Sequence, residues 1–182
     1  MRKLKNEELN RLSIEEFKQT SKLPLVLVLD DVRSLNNVGS AFRTADAFRL
    51  TKIYLCGITG IPPHREINKT ALGATDSVEW AYAPDVSQLI TQLREDNYTI
   101  TAIEQADQSK SLESFQPLLD HKYALVFGNE VFGVNDQVIK VADHCLEIPQ
   151  YGTKHSLNIS VSIGITVWDF FSKLTKAGVN TF

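Results

Sequence analysis

The stretch NNVGSAFR places Asn37, Gly39 and Arg43 within two helical turns. On a helix that begins near Asn37, Gly39 and Arg43 stand four apart and share a face. The glycine would leave room above the guanidinium. The helix N-terminus would add unpaired amides and partial positive charge. Together these features suit a phosphate or carboxylate ligand. An exposed arginine, on a helix that Asn37 merely caps, fits the same spacing.

A second candidate is VFGNEVFGV, where Gly128, Asn129 and Glu130 end an apolar run and Gly133 follows closely. It is not GxGxxG and carries no Walker lysine, so neither a dinucleotide fold nor a P-loop is indicated. Two glycines at a strand end permit close approach by a flat ligand. An ordinary tight loop would use them too. In HSLN, Ser156 stands beside His155. Adjacent residues rarely meet as nucleophile and base, and no GxSxG elbow surrounds the serine, which argues against a hydrolase triad. The histidines (His64, His121, His144, His155) lack metal-ligand spacing and Cys56 and Cys145 lie far apart, so we expect no metal.

These residues need elements to hold them. LPLVLVLD (Leu23 to Asp30) is a continuous apolar run, as expected of a strand buried on both faces. NNVGSAFRTADAF sets Val38, Phe42, Ala45 and Phe48 on one helical face. TKIYLCGI, VEWAYA, YTITAIE, YALVFGNE and HCLEIP read as strands. Helices are expected around Val86–Arg94 and in VNDQVIKVAD. GIPPHREINKTALGA reads as a loop with a turn at Pro62–Pro63. Alternating strands and helices predict an α/β fold with a mainly parallel sheet flanked by helices. Ligands of such sheets sit beyond the carboxyl ends of the strands. The site should therefore draw on DDVRSLNNVG, EQADQ, FGNEVFG and IPQYGTKHSLN. Residues 1–22 read as a short helical extension opened by the capping box SIEE, and residues 23–182 as one domain.

The segment YGTKHSLNISVSIG is ambiguous: apolar Leu157, Ile159, Val161 and Ile163 alternate with small polar residues, as in a half-buried strand. Yet ITVWDFFSKLTKAG continues it with helical spacing. Taken in order, NNVGSAFRTADAF, ALVFGNEVFGV and IPQYGTKHSLNISVSIGI resemble the three motifs of the SpoU (TrmH) branch of the SPOUT RNA methyltransferases. The resemblance covers nearly the whole chain. It implies a C-terminal trefoil knot, an S-adenosylmethionine site in that knot, a homodimer, and methylation of a ribose 2′-hydroxyl in RNA. Sequence rules exclude knots by default, so the knot comes from the resemblance alone.

Carried over residue by residue, the resemblance assigns Asn37, Arg43, Glu130, Ser156 and Asn158 to catalysis. It assigns Glu104, Gly128, Ile148 and Leu157 to the cofactor loops. It also resolves the alternation: 151–155 would be loop and a helix would begin near Ser156. On that helix Ser156, Ser160 and Gly164 form a small stripe. Leu157, Val161, Ile165 and Trp168 form an apolar one, expected to contact the core and a second copy. Arginine normally keeps its proton. Arg43 would therefore act either as a base in a special setting or by stabilising a developing alkoxide.

The chain departs from many members at Gln150 (often methionine), at Val131 and Phe132 (often small or polar), and at Arg49 (often glycine). Too few residues precede the first strand for the extra RNA-binding domain of many ribosomal-RNA members. NYTITAIEQA and EIPQ look closer to members that methylate a guanosine in the tRNA D-loop, so tRNA is the expected substrate before rRNA. Base-nitrogen methylation and a non-catalytic RNA-binding module are the rivals.

Bulk properties fit. The 182 residues are 43% apolar and suit one core. The net charge of −3 argues mildly against nucleic acid, but binding uses local patches. Basic residues are grouped near the start, at His64, Arg65 and Lys69, and at Lys154 and His155. No apolar run reaches the ~18 residues of a membrane span and no signal-peptide core is present, so we expect a cytoplasmic protein with reduced, buried cysteines.

Overall fold

A computed structural model of the chain describes residues 1–178. Residues 179–182 of the expected domain lie outside the described residues. Strands β1 (Leu23–Asp30), β2 (Leu50–Cys56), β3 (Trp80–Ala83), β4 (Tyr98–Ile103), β5 (Lys110–Ser111), β6 (Lys122–Phe127) and β7 (His144–Glu147) form one sheet, in the order β3-β2-β1-β6-β4-β7-β5. Every pairing between them is parallel. The two-residue β5 was not foreseen, being too short to show a period.

The apolar run of β1 divides by strand alternation. Leu23, Leu25, Leu27 and Leu29 enter one core, and Val26 and Val28 the other. In β6, Tyr123, Leu125 and Phe127 join the leucines, while Ala124 and Val126 join the valines. The leucine side is covered by α1 (Ile14–Gln19), α2 (Leu35–Ala47), α3 (Arg65–Ala71), α4 (Ala74–Ser77) and α7 (Ile159–Lys176). The valine side is covered by α5 (Val86–Glu95) and α6 (Asp136–Val141). A central strand buried on both faces requires this double cover.

Ser13 and Glu16 form the capping box expected of α1, and Phe17 anchors that helix in the leucine-side core. The stretch expected to be a loop after β2 holds α3 and the first residue of α4. Their apolar contribution to the core is small, chiefly Ile67, Ala71 and Ala74, too little to show a period. Pro62–Pro63 is a cis peptide at the expected turn. Arg49 has φ +49°, the left-handed conformation that favours glycine.

Helix α7 buries Ile159, Ile163, Val167, Phe170 and Leu174. Burial of each such side chain stabilises the fold by about 1.5–3 kcal/mol. The helix starts three residues later than expected. Asn158 is its N-cap, its Oδ1 accepting from Ser160 N at 2.8 Å and Ser160 Oγ at 2.6 Å. Ser156 thus precedes the helix and does not extend the small stripe, and a Cβ on Gly164 would meet only open space. Cys56 and Cys145 are both free. Cys56 is buried, its thiol pushed up to about 12 by burial and the neighbouring acids, whereas Cys145 is only partly buried. No helix among the described residues is long and apolar enough to cross a membrane.

Candidate active site

Beyond the carboxyl ends of β1 and β6, Glu130 closes the gap between the first two motifs. Its carboxylate accepts from Arg33 N (3.0 Å), Ser34 N (2.9 Å) and Asn37 Nδ2 (3.2 Å). Burial alone would raise its pKa, but the amides of Arg33, Ser34 and its own backbone, with Asn37, outweigh that and hold it below the usual carboxylate range. Ser34 is the N-cap of α2, its Oγ accepting from Asn37 N at 3.3 Å. The helix therefore begins two residues before Asn37, and the anion at its N-terminus is the protein's own Glu130. The sequence expectation of an open anion site at that terminus is corrected on this point.

Asn129, which the motif assignment passed over, holds this arrangement in place. Its Nδ2 donates to Asp31 O at 2.8 Å, while its Oδ1 accepts from Val131 N (2.8 Å) and Phe132 N (3.2 Å). Its backbone pairs with Gly133 in both directions at 2.9 Å. An amide at a strand end, with Gly128 before it and Gly133 after it, was the available signal. The glycines serve the loop itself rather than a ligand's approach. A Cβ on Gly128 would lie 2.0 Å from Gly133 O, and one on Gly133 (φ +72°) 2.3 Å from Glu104 Oε2. Glu104 braces the same turn, accepting from Val134 N at 3.0 Å and Gln105 N at 2.8 Å.

The loops after β4, β6 and β7 and the segment leading into α7 surround a cavity of about 640 Å³. Glu104, Gly128, Ile148 and Leu157, the expected cofactor residues, all line it, and so do Glu130, Ser156 and Asn158. Ile103, Ile148 and Leu157 supply apolar wall suited to an adenine ring. Ser156 makes no side-chain hydrogen bond among the described residues and can serve a ligand. Gln105, another residue the motifs did not reveal, ties the walls together by donating Nε2–H to His155 O at 2.8 Å.

Arg43 does not line this cavity. It lies two turns into α2, exposed, in a separate concavity of about 420 Å³ shared with α3. Among the described residues it has no hydrogen bond or ion pair, and Asp46 instead accepts from Ser77 Oγ at 2.6 Å. Nor does Gly39 make room for the guanidinium. A Cβ there would lie 2.1 Å from Thr70 Oγ1 and 2.3 Å from Ile67 O, so Gly39 is the point where α3 crosses α2. The structure thus joins Asn37 to Glu130, sets Glu130, Ser156 and Asn158 around the cavity, and leaves Arg43 apart.

A parallel sheet with β7 inserted between β4 and β5, and a cavity formed by the loops at its carboxyl end, define a SPOUT-type methyltransferase fold. Residues 24–168 match the SpoU rRNA Methylase family, and the chain belongs to it. The tRNA (guanosine(18)-2′-O)-methyltransferase of Thermus thermophilus is 28% identical over 178 residues, 94% of this chain and 87% of that protein. The 23S rRNA (guanosine-2′-O-)-methyltransferase RlmB of Nitrosomonas europaea is 31% identical over 161 residues, 86% of this chain and 60% of RlmB. In fold, the A. aeolicus TrmH/SpoU tRNA modifying enzyme superposes with a TM-score of 0.80 at 22% identity, over 91% of this chain and 84% of that one. An AdoMet-bound rRNA methyltransferase from Sinorhizobium meliloti gives a TM-score of 0.78 at 26% identity, over 90% of this chain and 62% of that one.

Proposed function

We propose that this chain transfers the methyl group of S-adenosylmethionine to a ribose 2′-hydroxyl of RNA, with a guanosine in tRNA as the preferred target. The observation that carries this is the cavity at the sheet's carboxyl end, where the cofactor residues and Glu130, Ser156 and Asn158 meet. When bound, the cofactor supplies a methyl sulfonium as the electrophile. Ile148, Leu157 and the loop backbone at Gly128 would hold it, and Ser156 offers a free hydroxyl. Asn158 fixes the start of α7, and Asn37 and Glu130 lock α2 to the loop after β6. Arg43 would act by charge on substrate phosphate and on the alkoxide that develops as the 2′-hydroxyl proton leaves to water. The tRNA preference is supported by the longer coverage of the tRNA-modifying relative, 87% of its length against 60% for RlmB. A C-terminal knot belongs to this proposal, supported by β7 lying between the consecutive strands β4 and β5. So does a short helical extension at 1–22 docked by Phe17 on a domain that begins at residue 23. A cytoplasmic setting is supported by two free cysteines.

Incubation with labelled S-adenosylmethionine and undermodified tRNA, then nucleoside analysis, should yield a 2′-O-methylated guanosine. A base-methylated nucleoside would redirect the chemistry, a product confined to rRNA the substrate, and RNA binding without transfer would sink the proposal.

The active form in this proposal is a homodimer. Leu157, Val161, Ile165 and Trp168 lie on one side of the C-terminal segment, 37%, 46%, 39% and 56% exposed. Trp168 also packs on Phe48, a wall of the Arg43 concavity, at 5.9 Å between centroids. A second copy packed antiparallel along α7 would therefore bring its cavity, at the start of its own α7, toward Arg43. Light scattering should give twice the chain mass of 20.4 kDa, and Ile165→Glu should halve it while the chain stays folded. A wild-type monomer at tens of micromolar would refute the dimer.

A further inference from the structure

We infer that the concavity between α2 and α3 binds a phosphodiester of the RNA, with Lys69 as its second cation beside Arg43; this rests on the RNA-methylation proposal above. The close crossing at Gly39 sets the turn of α3 that carries Lys69 and Thr70 against the turn of α2 that carries Ser40 and Arg43. Thr70 Oγ1 donates to Asn36 O at 3.0 Å, which pins α3 to α2, and Ser40 Oγ donates to the same oxygen at 2.9 Å from within α2; together they fix the concavity's floor. Those hydroxyl protons are spent, so recognition falls to the two cations and to Thr44, whose side chain makes no hydrogen bond among the described residues.

Both cations are available. Among the described residues Arg43 has no hydrogen bond or ion pair, and Lys69 has only Glu66 at 3.9 Å, with its own side chain 71% exposed, a geometry that contributes little. No carboxylate among the described residues lines the concavity, although acidic residues outnumber basic ones, 22 to 19, in the whole chain. Arg43 and Lys69 line one concavity from adjacent helices, so an anion that enters it would meet both. Phe48 closes one side with an apolar wall that suits the sugar flanking a phosphodiester better than a free, fully hydrated phosphate. The basic group His64, Arg65 and Lys69 read from the sequence is thereby divided. His64 caps α3, its Nδ1 accepting from Glu66 N at 3.1 Å, and Lys69 alone lines the concavity.

Lys69→Ala tests this in full-length protein with the RNA that the wild type methylates. KM for RNA should rise by about 5–10-fold, with kcat at saturating RNA within about twofold and S-adenosylhomocysteine affinity unchanged. The slope of log affinity against log salt should fall by about 0.7–0.9, the release of one phosphate contact. Lys69→Arg, which keeps the charge, should restore the KM. An unchanged KM and salt slope, or a fall in kcat without a rise in KM, would overturn the assignment. Inorganic phosphate at matched ionic strength should compete with RNA in wild type but not in Lys69→Ala, and competition equal in both would overturn the assignment. A wild type that methylates no RNA would instead defeat the functional proposal beneath it.

Discussion

Arg43→Ala should lower methyl transfer by about 10²-fold or more while leaving the thermal midpoint and S-adenosylhomocysteine affinity near wild type. That loss is the usual scale for a positioned group that stabilises charge in a transition state. The structure makes the split sharp. Arg43 is exposed and makes no hydrogen bond or ion pair among the described residues, so its removal breaks no internal contact. It lies outside the 640 Å³ cavity, so cofactor affinity has no cause to change. Lysine keeps the charge but loses the planar fork that matches phosphate, and Arg43→Lys should rescue little. Thermal melting, calorimetry with S-adenosylhomocysteine and a transfer assay decide the matter together. Early unfolding would move Arg43 into the structural scaffold, and undiminished transfer would strike it from the catalytic set.

The second large effect is on stability. Gly39→Ala should destabilise the protein by about 1–3 kcal/mol or more. Helix propensity pushes the other way, since alanine in a helix interior is favoured over glycine by about 1 kcal/mol. Packing decides the sign. The new methyl would sit 2.3 Å from the carbonyl oxygen of Ile67, a backbone atom that cannot swing aside, and 2.1 Å from Thr70 Oγ1. Helix α3 would have to lift off α2, disturbing the bond of Thr70 to Asn36 O and the concavity beside Arg43. Denaturant unfolding should show a lower midpoint at unchanged slope, and RNA affinity should fall even where the variant is fully folded. A variant as stable as wild type would show that the crossing is looser than the geometry requires.

Much of the architecture was legible because it follows from local pattern. The continuous run of β1 could belong only to a strand buried on both faces, and the alternation of strands with helical segments set a parallel sheet. The capping box at Ser13 and the apolar face of α2 are likewise properties of spacing. Short elements escaped for the same reason: β5 has two residues and α4 four, less than one useful period. The start of α7 was misplaced because Ser156, Leu157 and Asn158 can all begin a helix on paper. Only the hydrogen bond from Ser160 N to Asn158 Oδ1 makes Asn158 the cap.

The candidate site divides along the same line. The resemblance carried by the three motifs nominated Asn37, Arg43, Glu130, Ser156 and Asn158 from residue type and order alone. What each does in the fold depended on neighbours distant in sequence. Glu130 reaches back 97 residues to Arg33 N and takes the anion position at α2 that seemed open to a ligand. Gly39 and Gly128, read as space for a guanidinium or a flat ligand, are filled by Thr70, Ile67 and the Gly133 backbone. A glycine announces that some atom comes close, and the sequence by itself determined that much. Whether that atom belongs to a ligand or to the chain's own backbone was decided only by tertiary structure, because close packing brings together surfaces that no local spacing can relate.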